Sequence, residues 1–192
     1  MSFFKKLKER VTSPKATVFV KLNKNSYSLG EKLEGTLIAS FEEEIDATEI
    51  RVELRCEEKR KTITSVPRTT TSGGKTETQW VQQEMWETKK TFSENPQCSG
   101  PTHLSAGQKG EFPFSTTIPA GGEVSYSSAD RIVTWTIKGV IGVKGRPDVT
   151  SATTTISVVE APEIIMIPCE YCRTLFPETE ITCPNCGAKR KA

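Results

Sequence analysis

Two cysteine pairs near the end of the chain, Cys169-Glu170-Tyr171-Cys172 and Cys183-Pro184-Asn185-Cys186, constrain their segment more tightly than any other feature of the sequence. A stretch of this length cannot bury a core that would hold it folded, so it needs a staple. Two residues between cysteines let a tight turn aim both sulfurs at one ion, and Gly187 lets the backbone turn back with its amides facing the thiolates. The spacing therefore predicts one structural Zn2+ held by Cys169, Cys172, Cys183 and Cys186 in a zinc ribbon over 169–192. Zinc-sulfur bonds of about 2.3 Å would close the tetrahedron and leave no position for a substrate water. A disulfide framework is the competing reading, and it belongs to oxidising compartments. Nothing in Met1 to Arg10 reads as a secretory leader, because an apolar h-region and a cleavage site are lacking. The expectation is a cytoplasmic protein with reduced thiols.

The rest of the chain reads as β. From Thr17 the apolar period is two, and strand patterns recur at 17–22, 33–41, 49–57, 59–66, 80–92, 110–118, 131–143 and 151–159. Ile50, Val52, Leu54 and Cys56 alternate with Arg51, Glu53, Arg55 and Glu57, giving one dry face and one wet face. Strands without convincing helices between them imply an antiparallel sandwich, since parallel strands need long crossovers. A body of about 150 residues buries roughly 70% of its unfolded surface and requires no staple. Pro67–Gln79 and Ser93–Gln108 are polar and contain Gly or Pro, which predicts surface loops. Trp80, Trp86 and Trp135 are expected in the core or partly buried in the sheet. The expected layout is a basic segment at 1–15, the sandwich at 16–160, a linker at 161–168 and the zinc ribbon with a basic tail at 169–192.

Charge is segregated. The chain's formal net charge is +2, yet residues 1–15 carry +4 and Lys189, Arg190 and Lys191 carry +3, so the body is −5. Such a distribution suggests local contacts with anionic surfaces and not a globally nucleic-acid-binding protein. Phe3, Phe4 and Leu7, interleaved with Lys5 and Lys6, form a short amphipathic stripe that could touch an anionic membrane. The bland reading of that stripe is a docked or frayed terminus, and that of the tail is a counter-charge to the thiolates. No run of about 18 apolar residues is present, so no transmembrane helix is expected.

Several segments also resemble a known family. VFVKLNKNSYSLGEKLEGTLIASF carries a strand, Tyr27, the Gly30-Glu31 pair and Gly35 in the order seen in the N-terminal type of arrestin domain, the sandwich of alpha-arrestins and bacterial sporulation-control proteins. ATEIRVELRC is similar to that family's strand after an acidic turn, and GEFPFSTTIPAGGEVSYSSADRIVTWTIKGVI looks like its stretch leading into a long apolar strand. MSFFKKLKERV resembles the opening of the sporulation-control proteins. Leu29 stands where the family usually has proline. A complete arrestin has two sandwiches, and this chain has room for one. The resemblance implies an all-β, immunoglobulin-like sandwich acting as an adaptor scaffold without catalytic residues.

Chemistry outside the quartet is sparse. Cys56 continues an apolar strand face and reads as a small hydrophobe. Cys98 lies near His103, the chain's one histidine, but nothing orients the pair as a metal site or nucleophile. The run Glu42, Glu43, Glu44 and Asp46 reads as a solvated turn before it reads as a cation site. No P-loop, G-x-G-x-x-G or G-x-S-x-G is present. The expected function is thus a non-enzymatic adaptor that binds other proteins at a sheet edge or loop. The same edge would also allow a homodimer. The alternative is a nucleic-acid-associated regulator touching phosphates through the ribbon and tail.

Overall fold

The computed structural model describes residues 12–190, which form two compact units divided at Glu160 and Ala161. The first unit is all β. Its strands are β1 (Ala16–Leu22), β2 (Ser26–Ser28), β3 (Lys32–Phe41), β4 (Ile45–Ser72), β5 (Lys75–Glu94), β6 (Gln97–Ser99) and β7 (Thr102–Leu104). They continue with β8 (Lys109–Thr117), β9 (Tyr126–Ser127), β10 (Arg131–Val143), β11 (Val149–Thr150) and β12 (Thr154–Val159).

One sheet has the order β1-β3-β8, and the larger has the order β2-β12-β10-β4-β5, with β6 and β7 on β4 and β9 and β11 on β10. Every pairing is antiparallel except the short parallel contact of β2 with β12. The two sheets share one core. Leu33, Leu37 and Phe41 of β3 meet the large sheet's Ile50, Val52, Leu54 and Cys56 of β4, and Trp135 and Ile137 of β10. The alternation read from the sequence of β4 is what buries: those four residues are fully inaccessible, while Arg51, Glu53, Arg55 and Glu57 are partly exposed. Gly35 is required where β1, β3 and β8 converge, because a Cβ there would stand 2.7 Å from Lys21 O and 2.8 Å from the Phe114 ring.

Two expectations are corrected here. Pro67–Gln79 is no loop: β4 and β5 run on as a single hairpin whose two-residue turn is Gly73-Gly74, with φ of 58° and 79°. Positive φ at both central residues is what a type I′ hairpin turn demands, and glycine supplies it without strain. The flanking threonines are β-branched and pair across the ribbon, Thr69 with Thr78 and Thr71 with Thr76, at 3.4 Å between hydroxyls. Ser93–Gln108 likewise contains β6 and β7, and Pro96 O accepts the Val52 amide at 3.0 Å, continuing the β4 ladder where β5 has left it.

The hairpin outruns the sandwich. β10 pairs β4 only as far as Arg60, and the Lys61 amide donates to Asp130 O at 2.8 Å, so from Thr62 to Ser72 the sole strand beside β4 among the described residues is β5. At that root Glu58 is buried despite its charge, accepting from Arg131 Nε at 2.5 Å and Arg60 Nε at 2.7 Å. Arg131, followed by Arg60, holds its carboxyl below the usual carboxylate range. About twelve residues at ~3.3 Å each carry the ribbon roughly 40 Å beyond its last contact with β10.

The second unit has a hairpin of β13 (Met166–Pro168) and β14 (Leu175–Pro177), and Thr182 and Lys189 form a separate antiparallel bridge. β13 thus begins inside the segment read as a linker, where Glu163 to Ile167 shows strand-like apolar composition.

Candidate functional site

Four sulfurs converge in the second unit. Cys169, Cys172, Cys183 and Cys186 place their Sγ atoms within 4.8 Å of one another, with Cys169 to Cys186 at 3.7 Å and Cys172 to Cys183 at 3.6 Å. A tetrahedron with metal-sulfur bonds of about 2.3 Å has edges of about 3.8 Å, so the cage already has the size of a four-thiolate metal site.

The cage is built from two equivalent turns. The Cys169 amide donates to Thr174 O (2.9 Å) and the Arg173 amide to Cys169 O (3.0 Å); the Cys183 amide donates to Ala188 O and the Gly187 amide to Cys183 O, both at 2.9 Å. Each turn needs a left-handed residue just after its second cysteine. Gly187 provides it at φ 72°, as its place in the sequence predicts, whereas the first turn uses Arg173 at φ 62°, the one non-glycine with positive φ among the described residues. Cys169 and Cys183 are buried with Phe176, Ile167 packs beside them, and Cys186 lies at the surface.

The thiols of Cys169, Cys172 and Cys186 differ. Thr174, whose hydroxyl lies 3.4 Å from Cys172 Sγ, draws the Cys172 thiol down to about 6. The Cys172 and Tyr171 amides lower Cys169. The Ala188 amide favours the Cys186 thiolate, but the neighbouring Cys172 sulfur, burial and the sulfurs of Cys169 and Cys183 push that thiol up to about 12. The surroundings therefore favour the thiolate at Cys172 and the protonated thiol at Cys186. Metal binding displaces that proton, so acid competes with the ion. Metal affinity should fall as pH is lowered from 8 to 6, checked by chelator competition at fixed ionic strength; equal affinity at both values would contradict this account.

The tail is partly committed. Arg190 Nη1 donates to Glu178 O at 2.6 Å and its Nη2 lies 3.6 Å from Glu178 Oε1, while Lys189 is exposed beside its bridge. Phe3, Phe4, Lys5, Lys6, Leu7 and Lys191 lie outside the described residues.

In the first unit Cys98 and His103 take separate partners. Cys98 packs against the core, where burial pushes its thiol up to about 11, and His103 Nδ1 sits 2.8 Å from Asp46 Oδ1, which raises the imidazole's pKa. The acidic run is likewise engaged: Glu43 accepts from the Lys15 amide and pairs with Arg146, both at 2.9 Å.

Trp80 and Trp86 correct the sequence reading. Only Trp135 is core, fully buried, whereas Trp80 is 71% exposed and Trp86 46%. Register places Trp86 opposite Lys61, Ile63 opposite Glu84 and Trp80 opposite Pro67, so the two tryptophans, Ile63 and Pro67 share one face of the ribbon. The signal that could have found this face is the Gly-Gly pair between threonine-rich alternations.

Residues 17–163 match the profile of the arrestin (or S-antigen) N-terminal domain. The chain belongs to the arrestin N-terminal-domain family. The match ends short of Cys169, so the thiol cage lies outside the matched domain. A comparison with curated protein sequences returns no match. Among solved structures, Spo0M, a sporulation control protein from Bacillus subtilis, is similar with a TM-score of 0.52 and 19% identity, over 77% of this chain and 50% of that one. The arrestin-family chain thus spans half the length of that structure, and the likeness is one of fold. No helix among the described residues is long and apolar enough to cross a membrane.

Proposed function

We propose that this chain is a non-enzymatic, cytoplasmic adaptor that docks other proteins on the outward apolar face of the β4–β5 ribbon, with a zinc-filled four-cysteine module as a second contact surface. One observation carries the reading: a long ribbon on an arrestin-family sandwich holds Trp80, Trp86 and Ile63 in water on a single face. Exposed apolar surface of this kind marks interaction sites, and tryptophan is the residue most enriched among binding hot spots. Four thiolates at tetrahedral spacing favour zinc, and a closed set of protein ligands gives the ion a structural role. The thiol of Cys98 is protonated near neutral pH, which supports a reading without nucleophilic catalysis. Commitment of Arg190 to Glu178 takes one of the second unit's described cations away from phosphate, so the nucleic-acid reading ranks second.

The test is affinity capture with the full chain, followed by binding measurements on Trp80→Ser and Trp86→Ser. Each replacement should lower affinity about thirtyfold, the effect of a hot spot of roughly 2 kcal/mol, with the circular dichroism unchanged. If binding instead requires only 163–192 and collapses between low and moderate salt, the nucleic-acid reading replaces this one.

A further inference from the structure

The ribbon has a bare edge as well as an apolar face. β5 ends the larger sheet, and no described strand pairs with its outer side. A row of unpaired amides and carbonyls on a strand of 20 residues is a template for another strand. The sequence of β5 itself says which strand fits.

Two copies of a strand paired antiparallel about a two-fold axis keep their faces, so one residue must stand opposite its own copy, with the axis passing between the two. Centring on Gln83 sets Trp80 opposite Trp86 of the second copy, Val81 opposite Met85, and Glu77 opposite Lys89, each pair occurring twice by symmetry. In that register no like charges face each other along β5: Glu84 meets Gln82, Glu87 meets Gln79, Lys90 meets Thr76 and Lys75 meets Thr91. The two adjacent registers fail, and those centred on Val81 or Met85, though free of opposed like charges, set no tryptophan against tryptophan. Centring on Gln82 opposes Glu77 to Glu87 and Lys75 to Lys89, and centring on Glu84 sets that carboxylate against its own copy. Like charges directly opposite destabilise a sheet, while aromatic and opposite-charge pairs stabilise it.

We propose that β5 pairs antiparallel with β5 of a second copy of this chain, in the register centred on Gln83. The sandwiches then lie at opposite ends of a four-stranded ribbon, and Trp80 and Trp86 of both copies share one face. The pairing uses the edge and leaves that face free, so it does not rest on the adaptor reading.

Sedimentation of the full chain should show a concentration-dependent dimer. Glu77→Lys and Lys89→Glu, both at exposed positions, should each raise the dimer dissociation constant about ten- to hundredfold. Mixing the two variants should restore dimerisation, because each copy supplies the charge the other lacks, and the double variant should dimerise alone. Gln83→Cys should crosslink on mild oxidation. Gln79→Cys should not, since it stands roughly 27 Å from its own copy. A monomer at the highest concentration reached, a dimer insensitive to both charge reversals, or equal crosslinking of the two cysteine variants would each overturn the proposal. So would a monomer whose β5 amides become protected only on adding a different protein.

Discussion

Replacing Cys183 by serine should unfold residues 161–190 and leave the sandwich intact. Among its described residues the second unit buries only Cys169, Phe176 and Cys183, with Ile167, Cys172 and Ala188 packed against them, so half of its small core consists of candidate metal ligands. Such a core cannot offset the conformational entropy of the segment it orders, which runs to about 1–2 kcal/mol per residue. Structural zinc contributes about 10–16 kcal/mol in small four-ligand modules near neutral pH. Cys183 is the most buried of the four, and its sulfur lies 3.6 Å from that of Cys172. Its loss should lower metal affinity by orders of magnitude. Every residue of the sandwich core lies before Glu160, so that core does not depend on the ion. Metal analysis should give one zinc per wild-type chain and little in the variant, and amide exchange should show β13 and β14 losing protection together. Retained zinc at one per chain, or a large fall in the body's melting temperature, would refute this division of labour.

What the sequence revealed follows from how local each signal is. The thiol cage was legible because two residues between cysteines already fix a turn, and the two turns need only be brought together. The dry face of β4 was legible because alternation over many residues is the mark of a strand with one packed face. The ribbon was legible only in part: 59–66 and 80–92 read as strands, and both lie within β4 and β5. Its tip is threonine and glycine, so composition suggested a loop over 67–79. What makes it a hairpin is pairing: threonine across from threonine and a Gly-Gly turn with positive φ at both residues. Exposure of Trp80 and Trp86 was hidden for the same reason, since a tryptophan in a strand is ordinarily core. Where β10 stops pairing with β4 is a property of sheet topology, and no residue of β5 records it. Arg173 shows the complementary failure: its left-handed backbone is forced by the turn's hydrogen bonds, and its side chain gives no hint.

Trp135→Ala should be the most damaging single substitution in the sandwich. Trp135 is fully buried in β10, with Cys56 of β4 on one side in the ladder and Ile156 of β12 on the other. Its ring lies 5.4 Å from that of Phe92, and its Nε1 donates to Glu123 O at 2.7 Å, tying down the segment between β8 and β9. Removing a buried tryptophan costs about 3–5 kcal/mol in transfer and cavity terms. Against a total stability of about 5–15 kcal/mol for a domain, that is a large fraction. Urea unfolding should show the midpoint falling with little change in slope. Trp135→Phe separates the two contributions, because it keeps an aromatic ring beside Phe92 but leaves the Glu123 carbonyl unpaired, at about 1–3 kcal/mol. Phe92 sits where β5 joins the sandwich, next to the irregularity in its register with β4 at Cys56 and Glu57. The cavity should therefore loosen the root of the ribbon first, with a larger increase in amide exchange over wild type at Thr91–Glu94 than at the turn beside Gly73, where an added Cβ would meet nothing within 4 Å. A loss under about 1 kcal/mol would mean that the site collapses around the missing ring, and that Trp135 neither anchors the sheet nor supports the ribbon.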